Sequence, residues 1–156
     1  MTAIFKYHRD YSGKTKLPSS QYDIYNKIKD IAIGYGYTPL GGTPVSKIDD
    51  IVRDTWMYYD YPHVLNYSHY SYTTWVWNYP DIRSQVDNKR PMTLFMAFGS
   101  YAEHSVTVTG YVTYKKSLNP SKGFLRIYDN HHLDIRYIDY ACLWGTTTSA
   151  LTCVVP

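Results

Sequence analysis

The spacing of apolar residues changes near residue 92, and that change constrains the fold more than any other feature of the chain. Before it, apolar positions recur every three or four residues: Ala3, Ile4, Tyr7 and Tyr11, then Ile24, Ile28 and Ile31, then Val45, Ile48, Val52, Trp56 and Tyr59. That period lines one face of a helix. After it the period is two. Between Glu103 and Tyr114, Val106, Val108 and Val112 share one face and Ser105, Thr107, Thr109 and Thr113 the other, as in a strand. Helices followed by neighbouring antiparallel strands make an α+β domain.

Local signals place the element ends. The first helix is already running at the first residue, with no capping side chain before it, and Ser12-Gly13 stops it. Ser19 or Ser20 can cap the second helix, and Gly34 and Gly36 can end it. Pro44 opens the third, since a proline costs nothing in a first turn. His63 to Tyr70 is expected to be extended. Pro80 starts a short helix with Ile82 and Val86 inward, and Asn88-Lys89-Arg90-Pro91 ends it. Strands are expected over Met92 to Phe98, Glu103 to Tyr114, Phe124 to Asp129 and Arg136 to Tyr140, with a turn at Asn119 to Gly123. No linker interrupts this order, so residues 1–156 are expected to form a single domain.

Composition excludes several classes. With 44% hydrophobic and 19% charged residues, the chain has material for a core and is not a disordered polymer. Its apolar runs are a few residues long, too short to span a bilayer. The net charge of +3 is small and its lysines and arginines are scattered, against the basic stripe of a nucleic-acid binder. MTAIFKYHRDY lacks a basic start followed by an apolar stretch, so no signal peptide is expected within the chain. Cys142 and Cys153 are too few for a zinc site of their own, and whether they are bonded stays open.

Strand phase brings two chemically useful residues together. His104 is in step with Val106 and Val108 at the start of its strand; Asp129 is in step with Leu125 and Ile127 at the end of the next. Antiparallel neighbours bring the start of one strand to the end of the other. An imidazole and a carboxylate therefore meet at one edge of the core, where the carboxylate can orient the ring as a general base. The alternative is two ordinary strand-end residues facing water.

The residues themselves are more specific. E-H-S-V-T-V-T-G-Y (Glu103 to Tyr111), a turn, and F-L-R-I-Y-D-N (Phe124 to Asn130) resemble the His and Asp strands of papain-like cysteine peptidases, nearest the bacterial branch related to double-glycine peptidases that process bacteriocin leaders. Trp77 to Val86 followed by Lys89 to Leu94 is similar to that family's short helix and the strand after it. The resemblance covers roughly residues 75–140, and the helical half more loosely. It implies a papain-like fold with N-terminal helices packed on a C-terminal antiparallel sheet. It also implies His104 as base and then acid, Asp129 as its orienter, a peptide or protein substrate, no cofactor and no metal. Such peptidases are often exported or associated with the bacterial cell envelope.

One part of the pattern is missing. In that family the nucleophilic cysteine opens a long helix, with a glutamine for the oxyanion shortly before it. Met1 to Tyr7 looks like the stretch of that helix just after the cysteine, so both groups would lie upstream of Met1. The chain alone is expected to be inactive as a peptidase. Three accounts stay open: a chain that begins too late, a natural pseudopeptidase kept for binding, and a permuted peptidase in the order His104, Asp129, Cys142. Against the third, Tyr140 to Gly145 shows neither a preceding glutamine nor a helix start, and a thiol in so apolar a stretch is expected to be buried.

Other constellations are weaker. His131 and His132 with Asp134 suggest a metal, but adjacent strand residues point to opposite faces and a polar turn fits better. Tyr58, Tyr59, Tyr61, Tyr67, Tyr70, Tyr72, Trp75 and Trp77 could line a groove for peptide or sugar, although packing is the commoner use of such rings. Gly41-Gly42 lacks the context of a phosphate loop and reads as a turn. Glu103 neighbours His104 but would face the other way, and has no assigned role.

Overall fold

The computed structural model describes residues 1–61, 71–74, 77–96, 104–129, 134–143 and 149–154. Helices and an antiparallel sheet are both present, so the chain is α+β. The chain expected to form one domain contains two compact units: Met1–Thr73 with Thr152–Pro156, and Thr74–Leu151. Two strands, β1 (Ser71–Thr74) and β6 (Ser149–Val154), lie where the chain passes from one unit to the other.

The first unit is built on three helices, α1 (Thr2–Tyr11), α2 (Gln21–Gly34) and α3 (Ile48–Tyr58). As the sequence predicts, α1 begins without a side-chain cap, and Ser12 ends it, with Gly13 in the left-handed region at φ +68. Its buried face is rotated from the expected one: Ile4, Phe5 and His8 are inside, whereas Tyr11 is 74% exposed. The reason is Trp56 of α3, whose ring stands 4.6 Å from that of Phe5 and 5.8 Å from that of His8. Ser20, rather than Ser19, caps α2 by accepting from Asp23 N–H at 3.3 Å, and Ile24, Ile28 and Ala32 face inward. Pro44 opens a single 3-10 turn, Val45–Lys47, before α3 proper. Tyr61 closes the core over Trp56 with rings 5.6 Å apart, and its hydroxyl accepts from Lys16 N–H at 2.8 Å. The segment His63 to Tyr70, expected to be extended, lies outside the described residues.

The second unit holds α4 (Tyr79–Asp87) and the strands β2 (Met92–Met96), β3 (His104–Tyr114), β4 (Lys122–Tyr128) and β5 (Arg136–Asp139). These strands pair antiparallel in sequence order. Asn78 and Asp81 form a capping box at the start of α4, and Ile82 is its fully buried residue. The Tyr79 hydroxyl donates to Val112 O at 3.0 Å, tying the helix to the sheet. Its ring lies over Gly123, where a Cβ would stand 2.6 Å from a ring carbon. The core beneath is Met92, Leu94, Val106, Val108, Leu125, Ile127 and Ile138.

The alternation in β3 needs correction. Val108 is opposite Ile127 but Gly110 is opposite Arg126, so Thr109 is the extra residue of a bulge. Beyond it the phase flips: Tyr111 faces Leu125 and Val112 faces Phe124. Val112 therefore does not continue the face of Val106 and Val108. Nor is the threonine face uniformly wet, because Thr107 is fully buried.

Candidate active site

His104 and Asp129 sit on the unbulged side of Thr109, where the expected phase holds. The last pair of the β3–β4 ladder is Thr107 with Tyr128, which leaves Asp129 just past the end of β4 and His104 at the very start of β3. His104 also faces Met96, the last residue of β2. The two ends meet. His104 Nε2 lies 2.8 Å from the main-chain oxygen of Asp129.

The acceptor differs from the expected one, and the difference has chemical content. A carbonyl oxygen only accepts, so Nε2 carries the proton and, in the neutral ring, the lone pair is at Nδ1. Nδ1 is then the nitrogen that can take a proton from a nucleophile. The Asp129 carboxylate has another partner: its Oδ2 is 3.2 Å from Nε of Arg136, with the Asp129 side chain 13% exposed and that of Arg136 50% exposed. Arg136 stands opposite Ile127 across β4 and β5, on the face that Asp129 continues, and so reaches diagonally to the carboxylate. A shielded carboxylate is drawn to a cation, which offsets part of the cost of its desolvation.

Beside this pair is an open depression of about 530 Å³. Met96, Val106, Ile127 and Ile138 give it an apolar floor, and His104 and Arg136 stand among its lining residues. It is large enough to receive a side chain next to the imidazole.

The remaining candidates fall elsewhere. Cys142 lies in a four-residue 3-10 turn, Tyr140–Leu143, as a free thiol. It is exposed, not buried as its apolar neighbours suggested, because Leu143 takes the inward position of that turn. A turn this short offers no α-helix N-terminus to acidify a thiol. Asp134 is exposed, while Glu103, His131, His132 and the side chain of Cys153 lie outside the described residues. Among the described residues no group of three His, Cys, Asp or Glu side chains could hold a metal ion. Gly41 and Gly42 form a tight turn closed on Thr38, with Gly42 at φ +66. Of the aromatic set, Tyr61 packs on Trp56 and Trp77 lies 6.1 Å from Tyr140, whereas Tyr58 is 58% exposed with Lys27 Nζ 4.0 Å from its ring centre. Tyr67, Tyr70, Trp75 and the side chain of Tyr72 lie outside the described residues.

No protein-family model, curated protein or solved structure matches this chain. What the His104–Asp129 pair can do therefore rests on its own geometry. Among the described residues no helix is long and apolar enough to cross a membrane.

Sequence reasoning missed two residues. Arg136 was legible only as the start of a strand, although a cation in phase with Ile127, one strand over from Asp129, was the available signal. His8 gave none: it sits in a polar stretch of sequence, yet is fully buried with Nδ1 3.1 Å from Ser12 Oγ.

Proposed function

We propose that this chain carries the base half of a cysteine-peptidase-like centre, with a papain-like arrangement of helices and sheet, acting on peptide bonds of a peptide or protein substrate. The observation that carries the reading is the bond from His104 Nε2 to Asp129 at the meeting of two strand ends. It leaves Nδ1 of the neutral ring as the base. In the complete centre a cysteine thiol gives its proton to Nδ1, and the thiolate attacks the peptide carbonyl carbon. The imidazolium then returns that proton to the leaving amine, and water later releases the acyl group from sulfur. The thiol is assigned to a cysteine outside these 156 residues, upstream of Met1, in keeping with the resemblance of Met1 to Tyr7 to the helix that follows such a cysteine.

Reading the frame upstream of Met1 and assaying the longer product tests this. A cysteine within a few codons, with a glutamine shortly before it, is expected. So is peptide hydrolysis that His104→Ala lowers by about 10²- to 10⁴-fold. The 156-residue chain alone is expected to hydrolyse nothing. Hydrolysis by that chain, abolished by Cys142→Ala, would transfer the nucleophile to Cys142. An upstream stop codon together with an inactive chain would favour the second reading, a non-catalytic peptide-binding module. The open depression beside His104 supports that reading, since it needs no nucleophile.

A further inference from the structure

The depression beside His104 differs in character from floor to rim. Its floor of Met96, Val106, Ile127 and Ile138 is almost wholly buried. Its exposed lining residues, Ile135, Arg136 and Tyr137, are consecutive and lie at the start of β5, the last strand in the order of the sheet. Ile135 is 45% and Tyr137 54% exposed. Apolar side chains left in water next to an apolar floor gain by being covered. The charges of the lining narrow what can cover them. Asp129 and Arg136, 3.2 Å apart, set one charge of each sign beside the floor. A charged side chain of either sign would meet a like charge together with an opposite one, so its loss of water would go largely uncompensated. An apolar side chain has no such hydration to lose.

We propose that the depression is the subsite for one apolar side chain, aliphatic or aromatic, of a peptide bound beside His104, and that Ile135 is a specificity-determining residue of that subsite. The inference rests on the reading of this chain as a peptidase-like domain with a peptide substrate, and adds which peptides it takes. Ile135 is singled out because it is the wholly aliphatic residue of the exposed rim and lies just before β5, outside the ladder that joins that strand to β4. Its surface is therefore open to an entering side chain, and it can be changed without removing a rung of the sheet.

The test is a titration of the ¹⁵N-labelled 156-residue chain with blocked tripeptides, acetyl-Ala-X-Ala-amide, in which X is Leu, Phe, Gly, Asp or Lys. The Leu and Phe peptides are expected to shift the amides of residues 104–106 and 135–138 saturably. Their dissociation constants are expected to be at least about tenfold below those of the Gly, Asp and Lys peptides, the least that burying such a side chain returns. Ile135→Asp is expected to abolish that preference and Ile135→Leu to keep it, each with the amide spectrum of the folded chain. An Asp or Lys peptide that binds as tightly as the Leu peptide would overturn the proposal. So would the absence of saturable shifts at those residues, or an undiminished Leu preference in folded Ile135→Asp. Should Ile135→Asp fail to fold, the comparison among peptides on the unsubstituted chain still decides. No arm reads hydrolysis. An apolar preference in a protein whose longer product hydrolyses nothing would leave the subsite standing and remove the peptidase reading; hydrolysis without the preference would do the reverse.

Discussion

Single side chains show most directly what the sequence holds and what it hides. His104 and Asp129 were legible because a two-residue period is a geometric rule: residues in step with a buried valine or leucine share its face. Which oxygen of Asp129 meets the ring was not legible. That choice depends on contacts made only once neighbouring strands lie side by side, among them the ion pair of Asp129 with Arg136 of β5. Thr107, on the face opposite Val106 and Val108, is fully buried, with an Oγ1 that has no partner among the described residues. A buried hydroxyl without a hydrogen bond costs about 1–3 kcal/mol. Thr107→Val, which keeps the shape and removes the polar atom, is therefore expected to stabilise the chain by about 1 kcal/mol in urea denaturation. Loss of stability would mean that the hydroxyl is hydrogen-bonded after all.

Elements were the most legible scale, because their ends are written in local chemistry. Ser20 before α2 and Gly13 after α1 act as short-range signals should. The box at α4 is only half legible: Pro80 marks the first turn, whereas the capping is done by Asn78 and Asp81 on either side of it. Asn78→Ala is expected to cost about 1 kcal/mol, seen as a lower denaturant midpoint with an unchanged slope. The attachment of α4 to the sheet was invisible in sequence, since it depends on the absence of a side chain at Gly123 beneath the Tyr79 ring. Gly123→Ala should cost about 1–3 kcal/mol by forcing that ring aside. In Tyr79→Ser the same change should cost much less, and a double-mutant cycle with no coupling would show that the ring is not what excludes a Cβ there. The phase of β3 failed at Thr109 for a similar reason, because a bulge is set by the partner strand and not by its own residues.

At the scale of the whole chain, composition spoke to a core but not to how many. Unit one centres on Trp56, fully buried against Phe5, His8 and Tyr61. Unit two centres on the sheet residues around Leu94 and Val108. Trp56→Ala is expected to remove about 3–5 kcal/mol, read as lost hydrogen-exchange protection of the amides of α1 to α3. Undiminished protection would mean that those helices do not depend on that ring. The bulge at Thr109 has a consequence for how such a chain can change over generations. A bulge is a place where the count of residues on two strands is already unequal, so it absorbs a change of length that an unbroken ladder would transmit. Residues added or lost in the β3–β4 hairpin, beyond Val112 and Phe124, can be taken up there. The other end of the strand keeps the Thr107–Tyr128 pairing, and the place of His104 beside Asp129 is free to stay constant while the hairpin drifts.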